Sequence, residues 1–142
     1  MNREDFKNTL KEILDNNKIG TLATIRDNKP ISRYMYFYND ALTLYAYTKK
    51  DTYKVEDLEE NPNSHILLGY EERDDLGERY VEIQGKASLP GEVSSDVDAM
   101  LADAGKRYEK LKEEGDLQII KIEIDAARIM NDDDTEPKTV DL

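Results

Sequence analysis

Three lysines lie close to the start of a predicted helix in the stretch TKKDTYKVEDL, residues 48–58: they are Lys49, Lys50 and Lys54. The first turn of a helix carries partial positive charge, so lysines there are unfavourable unless an anion is bound nearby. Unpaired backbone amides and added ammonium groups together suit a phosphate. In the alternative interpretation, Lys49 and Lys50 are solvated loop residues and Lys54 lies on a wet helix face. The stretch alone leaves both interpretations open.

Arg33 is a second residue that could take part in an anion site. It alternates with Ile31, Met35 and Phe37 along a predicted strand, which places a guanidinium on an apolar face. Such a charge needs a partner, either an internal carboxylate or the phosphate of a ligand, whose oxygens match the planar guanidinium. If strands 31–38 and 41–48 pair, Arg33, Thr52 and Lys54 converge on one anion.

Metal and nucleophile chemistry have little support in the sequence. The chain has no cysteine and a single histidine, His65, which excludes thiolate catalysis and a cluster of histidine ligands. We interpret His65 as structural. Asp132, Asp133 and Asp134 offer carboxylates for a divalent cation, but consecutive acids without a calcium-loop spacing are more typical of a solvated tail.

The charge balance limits the possible partners. The chain has 32 acidic and 20 basic residues and a formal net charge of −12. Such a field repels nucleic acid and anionic membranes, so any anion site must be local. No stretch approaches the roughly 18 apolar residues of a membrane span, and the charged start of the chain lacks the apolar core of a signal peptide. We expect a cytoplasmic protein.

Hydrophobic periodicity predicts the elements that would position these residues. A helix is expected over 3–16, and a short helix over 51–60 with Asp51 or Thr52 as its N-cap. A longer helical stretch is expected over 93–111, and Gly105 is the residue in it that favours a break. Alternation and turn residues predict six strands, at 19–25, 31–38, 41–48, 64–70, 79–89 and 117–125. The prediction is a single α+β, mainly β domain over 1–142: a six-stranded antiparallel split β-barrel with flanking helices and an acidic tail from about 131.

Three motifs in this order carry a family resemblance. They are KIGTLATIRDNKPISRYMYFY, LTLYAYTKKDTYKVEDLEENPN and YVEIQGKA, between about residues 18 and 90. The chain resembles the FMN-binding split-barrel family that includes pyridoxamine 5′-phosphate oxidase, and especially its general stress protein branch. This resemblance implies a homodimer with FMN sites at the subunit interface.

The resemblance also implies roles for particular residues. Arg33, Thr52 and Lys54 match the positions that hold the FMN phosphate, while Tyr53 stands where the oxidases usually have arginine. Lys49 and Lys50 are expected to compensate for that change. The remaining matches concern the rest of the cofactor: the backbone of Tyr34, Met35 and Tyr36 faces the isoalloxazine ring, Tyr47 and Thr48 lie near its edge or the ribityl chain, and Gln84 reaches the flavin from the other subunit.

The end of the chain departs from the oxidases. They carry an arginine- and histidine-bearing segment that grips the pyridoxal substrate, and KIEIDAARIMNDDD has no counterpart. The prediction is therefore an FMN-dependent oxidoreductase with an unknown substrate and no vitamin B6 oxidase activity. Two alternatives remain open: a non-catalytic flavin-binding or sensor module, and a split barrel that holds another cofactor such as a deazaflavin. Heme fits least well, because His65 is the only imidazole.

Overall fold

The computed structural model describes residues 1–70, 78–103, 105–133 and 136–142. The predicted loop at 71–78 falls almost entirely outside these ranges, as does Asp134. Four helices and eight strands occur in the described part of the chain. In order they are α1 Arg3–Asn16, β1 Ile19–Arg26, β2 Lys29–Tyr36, β3 Tyr38–Asp40, β4 Thr43–Lys49, α2 Tyr53–Glu60, β5 Asn63–Gly69, β6 Tyr80–Ser88, α3 Ser95–Asp103, α4 Lys106–Glu113, β7 Leu117–Met130 and β8 Val140–Asp141.

The strands form one antiparallel sheet whose two ends meet. Its order is β2-β1-β5-β6-β7-β4-β3, with β8 added on β7. Strands β2 and β3 are the two ends of this order, yet only Phe37 separates them in the sequence. One residue spans about 3.5 Å, so the two outermost strands meet end to end at Phe37 and the sheet must curl. This confirms the mainly β, α+β fold with a curled antiparallel sheet.

The predicted count of six strands was wrong. The expected strand 31–38 divides at Phe37, because β2 pairs with β1 whereas β3 pairs with β4. The tail is also not wholly irregular, since Val140 and Asp141 pair with β7. Strand β7 continues to Met130 rather than ending at 125, because a register shift opposite Gln84 and Gly85 lets it bend and stay paired with β6.

A second correction concerns the turn before β4. Asn39 and Asp40 are residue types that favour a turn, which predicts the turn at this pair, but both belong to β3, and the turn begins at Ala41, which has a positive φ of 52°. The Asn39 side chain donates to Asp15 on α1 at 2.7 Å, which holds this residue in the strand. This contact with α1 favours the strand position of Asn39.

Two hydrophobic clusters hold the fold together. The larger one lies inside the curled sheet and includes Leu10 and Leu14 of α1, the helix expected over 3–16. The smaller one joins β3, β4 and β7 to α3 and α4, around the buried ring of Tyr108. The predicted helical stretch divides at Gly105, as the sequence suggested. Among the described residues, no helix is long and apolar enough to cross a membrane.

Candidate anion and cofactor site

A cavity of about 810 Å³ opens between strand β2 and the start of helix α2. It brings together Arg33, Thr52 and Lys54, the three residues predicted to bind phosphate. Its lining also contains six further residues: Arg26, Ile31, Asp51, Tyr53, Glu56 and Asp57. Cations from β1, β2 and α2 therefore face one volume, together with the backbone at the start of α2.

Arg33 is partly buried and only partly neutralised. Its Nη1 donates to the Leu22 carbonyl at 3.1 Å and to the Thr24 hydroxyl at 2.8 Å. Its Nη2 lies 3.8 Å from Asp57 Oδ2, which is a long ion pair. Burial lowers the pKa of Arg33, and the charge of Asp57 opposes that shift. An internal carboxylate is thus present, but donors on Arg33 remain free of protein hydrogen bonds in the part of the chain described.

Asp57 is one of the cavity residues that sequence reasoning missed. Its side chain is 2% exposed, and its carboxylate accepts from the Thr24 hydroxyl at 2.9 Å and from Arg26 Nη1 at 2.7 Å. A buried carboxylate needs such partners to offset the loss of water. The available signal was its position on a short amphipathic helix, three residues after Lys54 and directly before the buried Leu58.

Lys54 is a cation of this cavity without an ion-pair partner among the described residues. It forms neither an ion pair nor a side-chain hydrogen bond among the described residues, although its side chain is half-buried. Burial lowers the pKa of Lys54, and the nearby charges of Arg33 and Arg107 lower it further. A cation that is both desolvated and repelled is stabilised by an anion in the adjoining cavity.

The start of α2 adds backbone donors. Thr52 is the N-cap residue, as predicted, but its hydroxyl donates to the Lys49 carbonyl at 3.3 Å and caps no amide. The first-turn amides therefore lack a side-chain cap, and they carry the positive end of the helix dipole. With Lys54 on the same turn, this end of the helix favours a bound anion.

The other lysines of the segment are arranged differently. Lys49 ends β4 with an exposed side chain, and Lys50 lines a separate cavity of about 460 Å³ with Tyr108 and Lys112. The structure does not bring Lys50 together with Arg33 and Lys54. Instead it places Arg26, which was not among the predicted residues, over the ring of Tyr53 at 4.7 Å.

The residues predicted to face the flavin ring lie along one open edge. Tyr34, Met35 and Tyr36 belong to β2, whose strand neighbour among the described residues is β1 alone. The opposite edge of β2 presents backbone groups without a strand partner, which can bond a planar polar ring. Tyr47 lies deeper, packed between Tyr38 and Tyr108.

Thr48 and Gln84 complete the set of predicted residues, and neither lines the cavity of Arg33. Thr48 is buried on β4. Gln84 is exposed on the outer face of the sheet, opposite His65, and the two line a small cavity of about 220 Å³. His65 is also exposed, and no group of potential metal ligands occurs in the described ranges.

Comparison with known proteins identifies the family. The family model described as pyridoxamine 5′-phosphate oxidase matches residues 6–131. The chain belongs to the pyridoxamine 5′-phosphate oxidase family. It is 39% identical to General stress protein 26 of Bacillus subtilis (strain 168) over the full length of both chains. The predicted general stress protein resemblance is therefore confirmed.

Solved structures agree with this family assignment. General Stress Protein 26 from Bacillus anthracis str. Sterne superposes with a TM-score of 0.73 at 29% identity, covering 96% of this chain and 98% of that one. A putative pyridoxamine 5′-phosphate oxidase from Listeria innocua gives a TM-score of 0.72 at 27% identity, covering 89% and 99%.

This chain also shares its fold with more distant solved structures, and two of these are named for other cofactors. A FAD-binding protein from Mesorhizobium loti has a TM-score of 0.66 at 17% identity, covering 84% of this chain and 87% of that one. An F420 reductase has the same TM-score at 23% identity, covering 82% and 94%. At these identities the likeness concerns the fold alone.

Proposed function

We propose that this protein is an FMN-binding flavoprotein and an oxidoreductase with a substrate other than pyridoxamine phosphate. The observation that carries the proposal is the meeting of three features at one cavity: Arg33, Lys54, which has no ion-pair partner in the described part of the chain, and the uncapped start of α2. Two cations and free amides suit a phosphate dianion, which is the charged end of FMN. Family membership supports the same choice of ligand.

The open edge of β2 supports the placement of the ring. Backbone donors and acceptors of Tyr34, Met35 and Tyr36 would fix the polar edge of the isoalloxazine, with Thr48 and Tyr47 toward its far side. Bound FMN supplies the hydride or electron chemistry, so the protein has to hold and orient it rather than provide a nucleophile. The side chains of this chain would set the position and polarity around the ring.

A second copy of the chain is part of the proposal. Strand register places Ile19, Tyr34, Tyr36 and Leu67 on one outer face of the sheet, and all four are substantially exposed. These four residues form the outer patch. An apolar patch of this kind is typical of an interface. Gln84 lies on the same outer face, so a homodimer would carry it toward the flavin of the partner subunit.

The test is a titration of the purified protein with FMN and with riboflavin, which lacks the phosphate, followed by flavin fluorescence. We expect saturable binding at one FMN per chain and much weaker binding of riboflavin. The double variant Arg33→Ala with Lys54→Ala should lose most of this preference. The matched variant Lys49→Ala with Lys50→Ala also removes two cations, and it measures their predicted contribution.

Three results would point elsewhere. Equal binding of FMN by the wild type and the Arg33/Lys54 variant would refute the site assignment. Tight FMN binding by a protein that does not oxidise reduced nicotinamide with an artificial electron acceptor would favour a flavin store or sensor. A deazaflavin spectrum in freshly purified protein would replace FMN by that cofactor.

A further inference from the structure

Arg26 is a third cation at the same cavity, and neither the sequence patterns nor the family resemblance predicted it. It is the last residue of β1, immediately before the Asp27–Asn28 turn, where both residues have positive φ. Consecutive positive φ values are typical of the tight turns that join two strands. Arg26 contacts Tyr53 and Asp57 of α2, and it lines the cavity together with Lys54.

The guanidinium of Arg26 is held at three points. Nη1 lies 2.7 Å from Asp57 Oδ1, and Nη2 lies 3.3 Å from Glu56 Oε1. Its Cζ atom lies 4.7 Å from the centre of the Tyr53 ring, within the range of a cation–π contact. Two carboxylates and a ring thus fix the side chain, while a guanidinium with five N–H groups retains donors beyond these two contacts.

Asp57 links this guanidinium to Arg33. One carboxylate oxygen meets Arg26, and the other meets Thr24 and, at longer range, Arg33. The Thr24 hydroxyl in turn accepts from Arg33. A single buried carboxylate therefore orients two guanidiniums that line the same cavity, whereas a surface ion pair would leave both free to move.

We propose that Arg26 is an anion-binding residue of this site, that Tyr53 is the platform on which its guanidinium rests, and that Asp57 is the positioning residue for Arg26 and Arg33. The ligand class is a phosphoryl group, and the inference rests on the proposed function. Tyr53 thus contributes to binding through Arg26, although it carries no charge of its own.

The experiment compares the affinity for FMN with that for riboflavin, and the ratio of the two isolates the phosphate. Arg26→Ala should lower this ratio about tenfold, the usual cost of one charge-assisted hydrogen bond. Arg26→Lys, which keeps the charge and loses the planar fork, should give an intermediate value. Asp57→Asn, nearly equal in shape, should lower the ratio as well. Lys29→Ala, an exposed cation beyond the same turn, serves as the control.

A rescue variant tests whether a guanidinium at this side of the cavity is what contributes to phosphate binding. In Arg26→Ala with Tyr53→Arg, the guanidinium is moved from β1 to α2, and the FMN-to-riboflavin ratio should recover. Urea denaturation of each variant reports stability separately. Suppose that Arg26→Ala lowers stability but leaves the FMN-to-riboflavin ratio unchanged, while Lys54→Ala abolishes the preference for FMN. Arg26 then serves only as a structural ion pair, and this inference is wrong while the proposed function stands. If the wild type shows no preference for FMN, the proposed function fails with it.

Discussion

At the scale of single residues, Lys54 illustrates a conflict between stability and binding. Its ammonium is half-buried, lacks a carboxylate partner among the described residues, and has two arginines close enough to lower its pKa. The folded chain therefore holds this charge at an electrostatic cost, which a bound phosphate would remove. Perturbed pKa values of this kind are typical of functional sites, where an unfavourable charge is retained for binding.

Replacing Lys54 by methionine should stabilise the ligand-free protein. Because the folded pKa of Lys54 is below its ordinary value of 10.5, the charge is unfavourable to folding at neutral pH. Removing it should raise the free energy of unfolding by about 0.5 kcal/mol after allowance for solvent screening. The gain should shrink as the pH rises toward 10.5, where the wild-type lysine also loses its proton.

Urea denaturation at pH 7 and at pH 10.5, with and without FMN, measures this effect. Lys110→Met, which removes an exposed lysine on α4, is the control and should change little. With saturating FMN the order should reverse, so that the wild type becomes the more stable protein. A Lys54→Met protein that is less stable without ligand would show that Lys54 has a stabilising partner.

At the scale of elements, the irregularity between β6 and β7 decides which residues of β7 enter the core. Gln84 pairs with Ala126 and Gly85 pairs with Ile124, so Asp125 has no partner in β6. Ile120 and Ile122 are buried before this point, and the odd-numbered Ala127 and Ile129 are buried after it. An extra residue shifts an alternating pattern by one position, which explains why β7 continues past the predicted end.

Gly85 is required by this geometry. An added Cβ would lie 2.6 Å from Ile122 Cγ2 and 2.9 Å from the Glu123 carbonyl oxygen, so Gly85→Ala forces the backbone of two strands apart. We expect a loss of about 2 kcal/mol in the free energy of unfolding, measured by urea denaturation. Gly91→Ala is the matched control, because nothing lies within 4 Å of its added Cβ. Equal stability of the two variants would contradict this packing.

At the scale of the whole molecule, the inner and outer faces of the curled sheet differ in what they contact. The inside carries the main core, and its open side beside β2 carries the anion cavity. The outside is covered by α3 and α4 over β4, whereas over β1, β2 and β5 it presents the outer patch. A homodimer would bury this uncovered part, and the exposed rings of Tyr34 and Tyr36 would then lie in an interface.

Placing two charges in the outer patch should separate the subunits. We expect the wild type to have twice the chain mass of 16.4 kDa in solution, and Ile19→Glu with Leu67→Glu to have the single-chain mass. Light scattering after gel filtration measures both, and circular dichroism confirms that the variant is folded. Lys29→Glu, outside the patch, should remain dimeric. A double variant that keeps the wild-type dimer mass would place the interface on another surface.

Hydrophobic period and motif order are local properties of the chain, so the sequence was enough to predict most of the elements, the curled antiparallel class and the family. It also selected Arg33, Thr52 and Lys54, which the fold brings to one cavity. The tertiary structure alone decided the division of β2 from β3 at Phe37, since that depends on which edges meet when the sheet curls. It also decided the roles of Arg26 and Asp57, because each gains its partners only when the β1–β2 turn packs against α2, some 30 residues away in the chain.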